Sequence, residues 1–338
     1  MNPHLVHGGA LQAAIERFGG RREDWLDLST GINPLPAPLP PLPGELFTRL
    51  PEADLERDAC EAARHHYGAP ATAGLVAAPG SQALISLLPH LLPDGAAAIL
   101  RPAYGEHARA FAAAGRRILA VSSPEAVPDD VGVAVFVNPN NPDGRRFERC
   151  SLLALGDRLA ARGGWLVVDE AFMDADPRES LAGDAGRPGL VVLRSFGKFF
   201  GLAGLRLGFA LTTPAFAAHL AARLGPWAVS GPALFAGATL MADRDGIAAL
   251  RHEIARRAAE TRGAITDAGF TPRGDAGLFA LVETPRAGAV FEALARRRIL
   301  VRPFADPADW LRFGLTRRAE EAARLACALR EARAEAGL

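Results

Sequence analysis

Arg194-Ser-Phe-Gly-Lys-Phe-Phe-Gly-Leu-Ala-Gly-Leu-Arg-Leu-Gly208 contains the only lysine in a chain of 338 residues. Lys and Arg together number 38, so arginine supplies 37 of the cationic side chains. A coding bias toward arginine accounts for the 37 and says nothing about the survivor. Arginine cannot lose its proton in a protein and cannot act as an amine nucleophile, whereas a desolvated lysine can. Lys198 is therefore expected to be kept for chemistry. Leu190-Val-Val-Leu193 and Leu205–Leu211 read as apolar strands, with the lysine in the glycine-punctuated turn between them. Ser195 and Arg206 stand close by in sequence. A hydroxyl, an amine and a guanidinium on one rigid turn suit a Schiff base with a phosphorylated aldehyde, the amine taking the carbonyl carbon and the other two groups the phosphate.

Composition agrees with a soluble enzyme. The length suits one large domain with a smaller companion, and 49% hydrophobic residues build a sizeable core. A formal net charge of zero gives no general attraction to nucleic acid or to an anionic membrane. Cys60, Cys150 and Cys327 are odd in number and far apart, which argues against a disulfide framework and a clustered metal site. They read as buried apolar residues of a cytoplasmic protein. The opening residues have no basic head followed by an apolar run, so no secretion signal is expected. Two long uncharged stretches, 69–93 and 224–242, are broken by Pro79, Pro89, Pro226 and Pro232 and read as soluble core, not membrane spans.

A proline cluster from Pro34 to Pro43 reads as an extended strap. Beyond it, apolar runs (Leu75–Ala78, Ala97–Leu100, Ile118–Val121, Val133–Val137, Trp165–Val168) alternate with alanine-rich helical stretches such as Ser81–Leu92, Glu106–Ala114 and Ser151–Ala161. This alternation predicts an α/β fold with a large, mostly parallel sheet covered by helices on both faces. After Pro214 a long helical region (232–268) leads to Leu278–Glu283, Ile299–Arg302 and Trp310–Leu315, which read as a small α+β domain. The expected organisation is an N-terminal arm (1–45), a large domain (46–225) and a small C-terminal domain (226–338).

Several segments carry candidate chemistry. Pro79-Gly80-Ser81-Gln82 lies between a strand and a helix, where free N–H groups and a hydroxyl make an anion cradle, although glycine-serine also caps helices that bind nothing. Val137-Asn-Pro-Asn-Asn141-Pro-Asp-Gly144 follows a strand and is in any case a good turn former. Trp165-Leu-Val-Val-Asp169-Glu-Ala-Phe172 ends a buried strand in two carboxylates, at the strand end where open α/β sheets place ligands; the plainer role is a helix cap. Arg312 lies on a strand whose Leu311, Phe313 and Leu315 alternate away from it, so it points to one face; the plainer role is a surface charge on an edge strand.

Ser195, Lys198 and Gly204-Leu-Arg206-Leu-Gly208 match the Ser-x-x-Lys…Gly-Leu-Arg-x-Gly motif, so the chain resembles the fold-type I pyridoxal phosphate enzymes, in the branch of histidinol-phosphate aminotransferase and threonine-phosphate decarboxylase. The resemblance runs in order from about residue 7 to residue 318. It implies pyridoxal 5'-phosphate as cofactor, no metal, and a homodimer. Gly80, Ser81, Gln82, Ser195 and Arg206 inherit the cofactor phosphate. Asn141 inherits the ring hydroxyl oxygen, Tyr104 the ring face, and Asp169 the ring nitrogen, which it keeps protonated. Arg312 inherits the α-carboxylate of an amino-acid substrate, gripped by two prongs. Asp143 stands where threonine is usual. Leu50 stands where related enzymes often carry a tyrosine that reaches across the dimer.

Fold does not fix the reaction. His7-Gly-Gly, Leu26-Asp-Leu-Ser-Thr-Gly-Ile-Asn33-Pro, Phe172 in place of a usual tyrosine, and Pro226-Trp-Ala-Val-Ser-Gly-Pro232 all resemble the threonine-phosphate decarboxylases of cobalamin biosynthesis. The implied reaction converts L-threonine O-3-phosphate to (R)-1-aminopropan-2-yl phosphate and carbon dioxide. His7, the Gly8-Gly9 turn and Asn33 are the candidates for the ester phosphate; each is otherwise an ordinary loop residue. Histidinol-phosphate aminotransferase is the first alternative, and a decarboxylase of another phosphoamino acid stays open. A retired cofactor-binding regulator is disfavoured by the intact set of Lys198, Asp169, Asn141 and Arg206.

Overall fold

Val133-Ala-Val-Phe-Val137 and Trp165-Leu-Val-Val-Asp169 are short and apolar on alternate and intervening positions alike, so they suit strands covered on both faces. The computed structural model describes residues 8–338, and there these segments join one seven-stranded sheet. In chain order its strands are β1 (Gly74–Ala78), β2 (Ala97–Leu100), β3 (Ile118–Val121), β4 (Val133–Val137), β5 (Trp165–Asp169), β6 (Leu190–Ser195) and β7 (Gly208–Thr212). The spatial order is β1-β7-β6-β5-β4-β2-β3. Only β7 runs against its neighbours, β1 and β6. The expectation of a mostly parallel sheet holds.

Side chains on one face (Val133, Val135, Val167, Val191, Leu193) share a core with Leu84, Phe111, Phe216 and Leu220 from the helices Ser81–Leu87, Gly105–Ala113 and Pro214–Leu224. Ala134, Phe136, Leu166, Val168 and Val192, on the intervening positions, are buried just as fully. Val137 pairs with Asp169, and Asp169 with Leu193, so β4 and β5 finish level while β6 runs two residues further, to Ser195.

The chain forms two compact units, residues 36–141 with 146–251, and residues up to 35 with 142–145 and 252–338. The second holds a four-stranded antiparallel sheet built from Pro272–Arg273, Phe279–Glu283, Arg302–Pro303 and Trp310–Gly314. Beside it Leu26–Asp27 pairs in parallel with Ile299–Leu300. The helices Leu11–Phe18, Ala287–Arg296 and Ala319–Glu335 bring Leu11, Phe291, Leu294 and Leu329 to its core.

Local chemistry moves some expected boundaries. The helix at Ser81 ends at Leu87 and gives way to a 3-10 turn over Leu88–His90, where Pro89 has no N–H to continue the ladder. The final strand of the large sheet begins at Gly208 and not at Leu205, because Ala203–Leu205 is a 3-10 turn and Arg206 takes a left-handed φ of 55°. The long helical stretch is two helices, Gly231–Ala242 and Arg244–Asp267. Between them Asp243 caps the second by accepting from the Gly246 N–H at 2.9 Å. The cysteines are not the buried set expected. Cys60 is half-buried, and Cys150 and Cys327 are exposed, off the Leu152–Leu155–Leu159 and Leu325–Leu329–Ala332 stripes of their helices.

Among the described residues no helix is long and apolar enough to cross a membrane. Leu193 is fully buried in the middle of the sheet. Leu193→Ala is expected to destabilise the protein by about 2–5 kcal/mol, read as a lower urea midpoint with an unchanged slope.

Candidate active site

Two glycines decide how the first part of the site is built. Gly80 follows β1 with a φ of 80°, and Ser81 opens the next helix, so its N–H has no acceptor within that helix. A Cβ on Gly80 would lie 2.6 Å from Nη2 of Arg206, so that guanidinium rests against the bare backbone. Gly208 pairs opposite Ser195 in the ladder between β6 and β7. A Cβ on Gly208 would lie 2.4 Å from the Ser81 nitrogen and 2.9 Å from the Arg194 carbonyl oxygen. Gly80, Ser81, Ser195 and Arg206, the groups expected to share one phosphate, are thereby brought to one place.

Lys198 lies in a single helical turn, Phe196–Phe199, directly after β6. It is half-buried between Phe196, Gly197, Phe199 and Phe200, all buried. The turn folds back on its neighbour so closely that a Cβ on Gly197 would lie 2.5 Å from the Ala203 Cα.

Asp169 ends β5 and is 2% exposed. Its Oδ2 lies 2.9 Å from Nε2 of His107, and its Oδ1 accepts from the Ala171 N–H at 3.1 Å. The carboxylate can only accept, so His107 carries a proton on that nitrogen. His107 was not among the sequence candidates. The signal was its place three residues after Tyr104, on the same face of the helix Gly105–Ala113. Tyr104 meets the His107 ring edge to face at 6.2 Å and donates its hydroxyl to Oε1 of Gln82 at 3.1 Å. Gln82 therefore engages Tyr104 with the side chain that the resemblance gives to the phosphate.

The asparagine-rich turn divides its labour. Asn138 receives from the Phe147 N–H and donates to the Phe147 carbonyl, closing the loop, while Asn140 donates to the Pro102 carbonyl at 2.9 Å. Asn141 is buried beyond the end of β4, next to the strand that carries Asp169.

In the other compact unit Arg312 is 3% exposed, on the strand Trp310–Gly314. Its Nη2 donates to the Ser29 carbonyl at 2.8 Å, and its guanidinium lies 5.0 Å from the centre of the Phe279 ring. Burial with such fixed partners is not the surface charge of the plainer reading. Ser29 is a hub that sequence reasoning quoted without singling out. Its hydroxyl accepts from the Gly9 N–H at 2.8 Å and donates to Asp27 at 2.6 Å. A Cβ on Gly8 would meet the Ser29 carbonyl oxygen at 2.2 Å. The Gly8-Gly9 turn is thus seated on the residue that also holds Arg312. Asn33 is buried, and its Oδ1 accepts from the Leu35 N–H at 3.0 Å, a local turn. His7 lies outside the described residues.

The close approach at Gly208 yields a measurable contrast. Gly208→Ala drives a methyl group into backbone on two sides and is expected to cost roughly 1–3 kcal/mol. Gly204→Ala, with nothing within 4 Å of its added carbon, is expected to leave the melting temperature in scanning calorimetry unchanged.

A model of the family described as aminotransferase class I and II matches residues 42–329. A threonine-phosphate decarboxylase of Sinorhizobium sp is 47% identical over 97% of this chain and 98% of its own length. One of Pseudomonas aeruginosa is 46% identical over 94% and 95%. Among solved structures, histidinol-phosphate aminotransferase from Sinorhizobium meliloti in complex with pyridoxal-5'-phosphate superposes with a TM-score of 0.80 at 23% identity, covering 98% of this chain and 97% of that one. The fold and the match across most of its length place this chain in the aminotransferase class I and II family.

Proposed function

We propose that the protein decarboxylates L-threonine O-3-phosphate to (R)-1-aminopropan-2-yl phosphate and carbon dioxide, with pyridoxal 5'-phosphate as cofactor, within cobalamin biosynthesis. Near full-length likeness to threonine-phosphate decarboxylases carries this reading. The residues fit the cofactor: two glycines leave a bare cradle beside a serine N–H, a carboxylate is buried with an imidazole partner, and the sole lysine is half-buried.

When bound, pyridoxal phosphate supplies an electron sink for the pair released as a bond to Cα breaks. Ser81, Ser195 and Arg206 would hold its phosphate through N–H, hydroxyl and guanidinium donors. Asp169 keeps the ring nitrogen protonated, and His107 holds the Asp169 carboxylate in one orientation. Asn141 donates to the ring hydroxyl oxygen, and Tyr104, fixed by Gln82, covers the ring face. Lys198 would supply the amine that holds the cofactor aldehyde and the proton that replaces the lost carboxylate at Cα. Arg312 holds the departing carboxylate, with Ser29 fixing the guanidinium. The Gly8-Gly9 turn, Asn33 and His7 take the ester phosphate, so that binding energy from the remote group serves the chemical step.

The same reading takes the protein as a cytoplasmic homodimer. Phe47, Leu50 and Trp227 are 65%, 62% and 57% exposed, apolar surface that suits a second copy. With leucine at position 50, no tyrosine hydroxyl reaches across from that position. Light scattering is expected to give about twice the 35.6 kDa chain mass; a monomer would overturn the dimer.

Incubation with threonine phosphate is expected to release carbon dioxide with no keto acid present. Glutamate formed from histidinol phosphate and 2-oxoglutarate would instead establish the aminotransferase. Borohydride is expected to attach the cofactor to Lys198, and Lys198→Ala to lose both the tag and turnover.

A further inference from the structure

The reading above leaves Glu170, Asp174, Arg194 and His66 without a role, although each has a side chain 2% exposed or less. Arg194 donates from Nη1 to Oε2 of Glu170 at 2.6 Å, and its Nη2 lies 3.1 Å from Oδ1 of Asp174. Glu170 also accepts from the Ser180 hydroxyl at 2.6 Å and the Leu181 N–H at 2.7 Å. Nε2 of His66 lies 2.7 Å from Oδ1 of Asp174. The guanidinium covers the Tyr67 ring at 4.2 Å.

Buried ion pairs add little net stability compared with apolar residues of the same volume, so their geometry is the better reason to keep them. Here the geometry is specific. Glu170 follows Asp169, and Arg194 precedes Ser195 and Lys198. The last rung between β5 and β6 is the bond from the Glu170 N–H to the Leu193 carbonyl at 2.9 Å. The Arg194–Glu170 pair continues the tie past that rung. On the far side of the lysine, the His66 ring packs 6.4 Å from Phe199 and 5.7 Å from Phe200. The network therefore grips the Lys198 turn from both ends. Burial alone would raise the Asp174 carboxyl, but the Arg194 charge and the His66 hydrogen bond outweigh it and hold it at about 2. That arm of the network stays ionised wherever the enzyme is assayed.

We propose that Arg194, held by Glu170 and Asp174, is a positioning residue that fixes where Ser195 and Lys198 leave the strand beside Asp169, with His66 bracing the aromatic pair behind the lysine. The proposal rests on the roles given above to Lys198 and Asp169.

Glu170→Asp keeps the charge and draws the carboxylate back by one carbon; Glu170→Gln keeps the length and removes the charge. Both loaded variants are expected to lose roughly ten- to hundredfold in kcat on threonine phosphate, with KM within about twofold. The pH midpoint of the visible band of the lysine-bound cofactor is expected to move in both. Wild-type kcat and midpoint in Glu170→Asp would reduce the role to charge alone and overturn the proposal. Lower melting temperatures with kcat and midpoint unchanged would reduce it to stability and do the same. Should neither variant fold, Ser180→Ala and His66→Leu each remove one arm and leave the Arg194–Glu170 pair; an unchanged kcat and midpoint in both overturns the proposal. A wild-type protein that acquires no visible band on loading overturns the functional reading and this inference together, whereas a loaded wild type with indifferent variants overturns the inference alone.

Discussion

A carboxylate removed from water must find a partner or lose its charge, and Asp169 is held to that constraint at the carboxyl end of a central strand. His107 resolves it from a neighbouring helix and the Ala171 N–H from the chain itself. Much of the site follows from keeping this negative charge at depth. The strand before it finishes level with the carboxylate and the strand after it runs two residues past, so the Asn141 turn and the Lys198 turn both leave from strands that flank Asp169. Parallel strands bring these ends to one edge because each crossover returns the chain to the opposite edge, through the helix Arg149–Ala160 between β4 and β5 and through 3-10 turns between β5 and β6.

The turn at Gly80 and Ser81 shows a second constraint, set by the absence of side chains. Arg206 rests on Gly80, and Gly208 abuts the Ser81 amide, so neither approach survives an added methyl group without movement. A non-glycine residue in the left-handed region, Arg206 at a φ of 55°, turns the chain just before β7 and delivers the guanidinium to the cradle. Backbone economy, more than any single strong bond, brings the Ser81 amide and the Arg206 guanidinium together.

The fold was legible because its strands are short, apolar and separated by glycine or proline, and the sheet needs little more than that pattern. Lys198, Asp169 and Arg206 stood out as candidates for related reasons: each stands at a strand end or a turn in a residue type that such places seldom need. What stayed hidden depends on pairing across long sequence distance. His107 and Asp169 are 62 residues apart, and nothing local marks the histidine as a partner of that carboxylate. Ser29 and Arg312 meet across 283 residues through a carbonyl oxygen, which sequence does not distinguish from any other. The exposed cysteines failed for a simpler reason: a residue between apolar neighbours on a helix faces outward whenever the buried stripe passes beside it, as at Cys327.

The scarcity of lysine gains meaning in this setting. An aldehyde cofactor reacts with any deprotonated amine it can reach, and surface lysines offer many. With arginine in 37 positions and lysine in one, no side chain but Lys198 can form that bond, because a guanidinium keeps its proton at any pH the fold tolerates. The substitution of arginine also suits the buried network, where two nitrogens of a planar fork engage Glu170 and Asp174 in fixed directions. One residue type thus carries the ion pairs, and the other is left as the one amine side chain. Lys198 is half-buried in a turn whose Phe196, Phe199 and Phe200 are buried, so the one amine side chain stands at the edge of the core and not on a free surface.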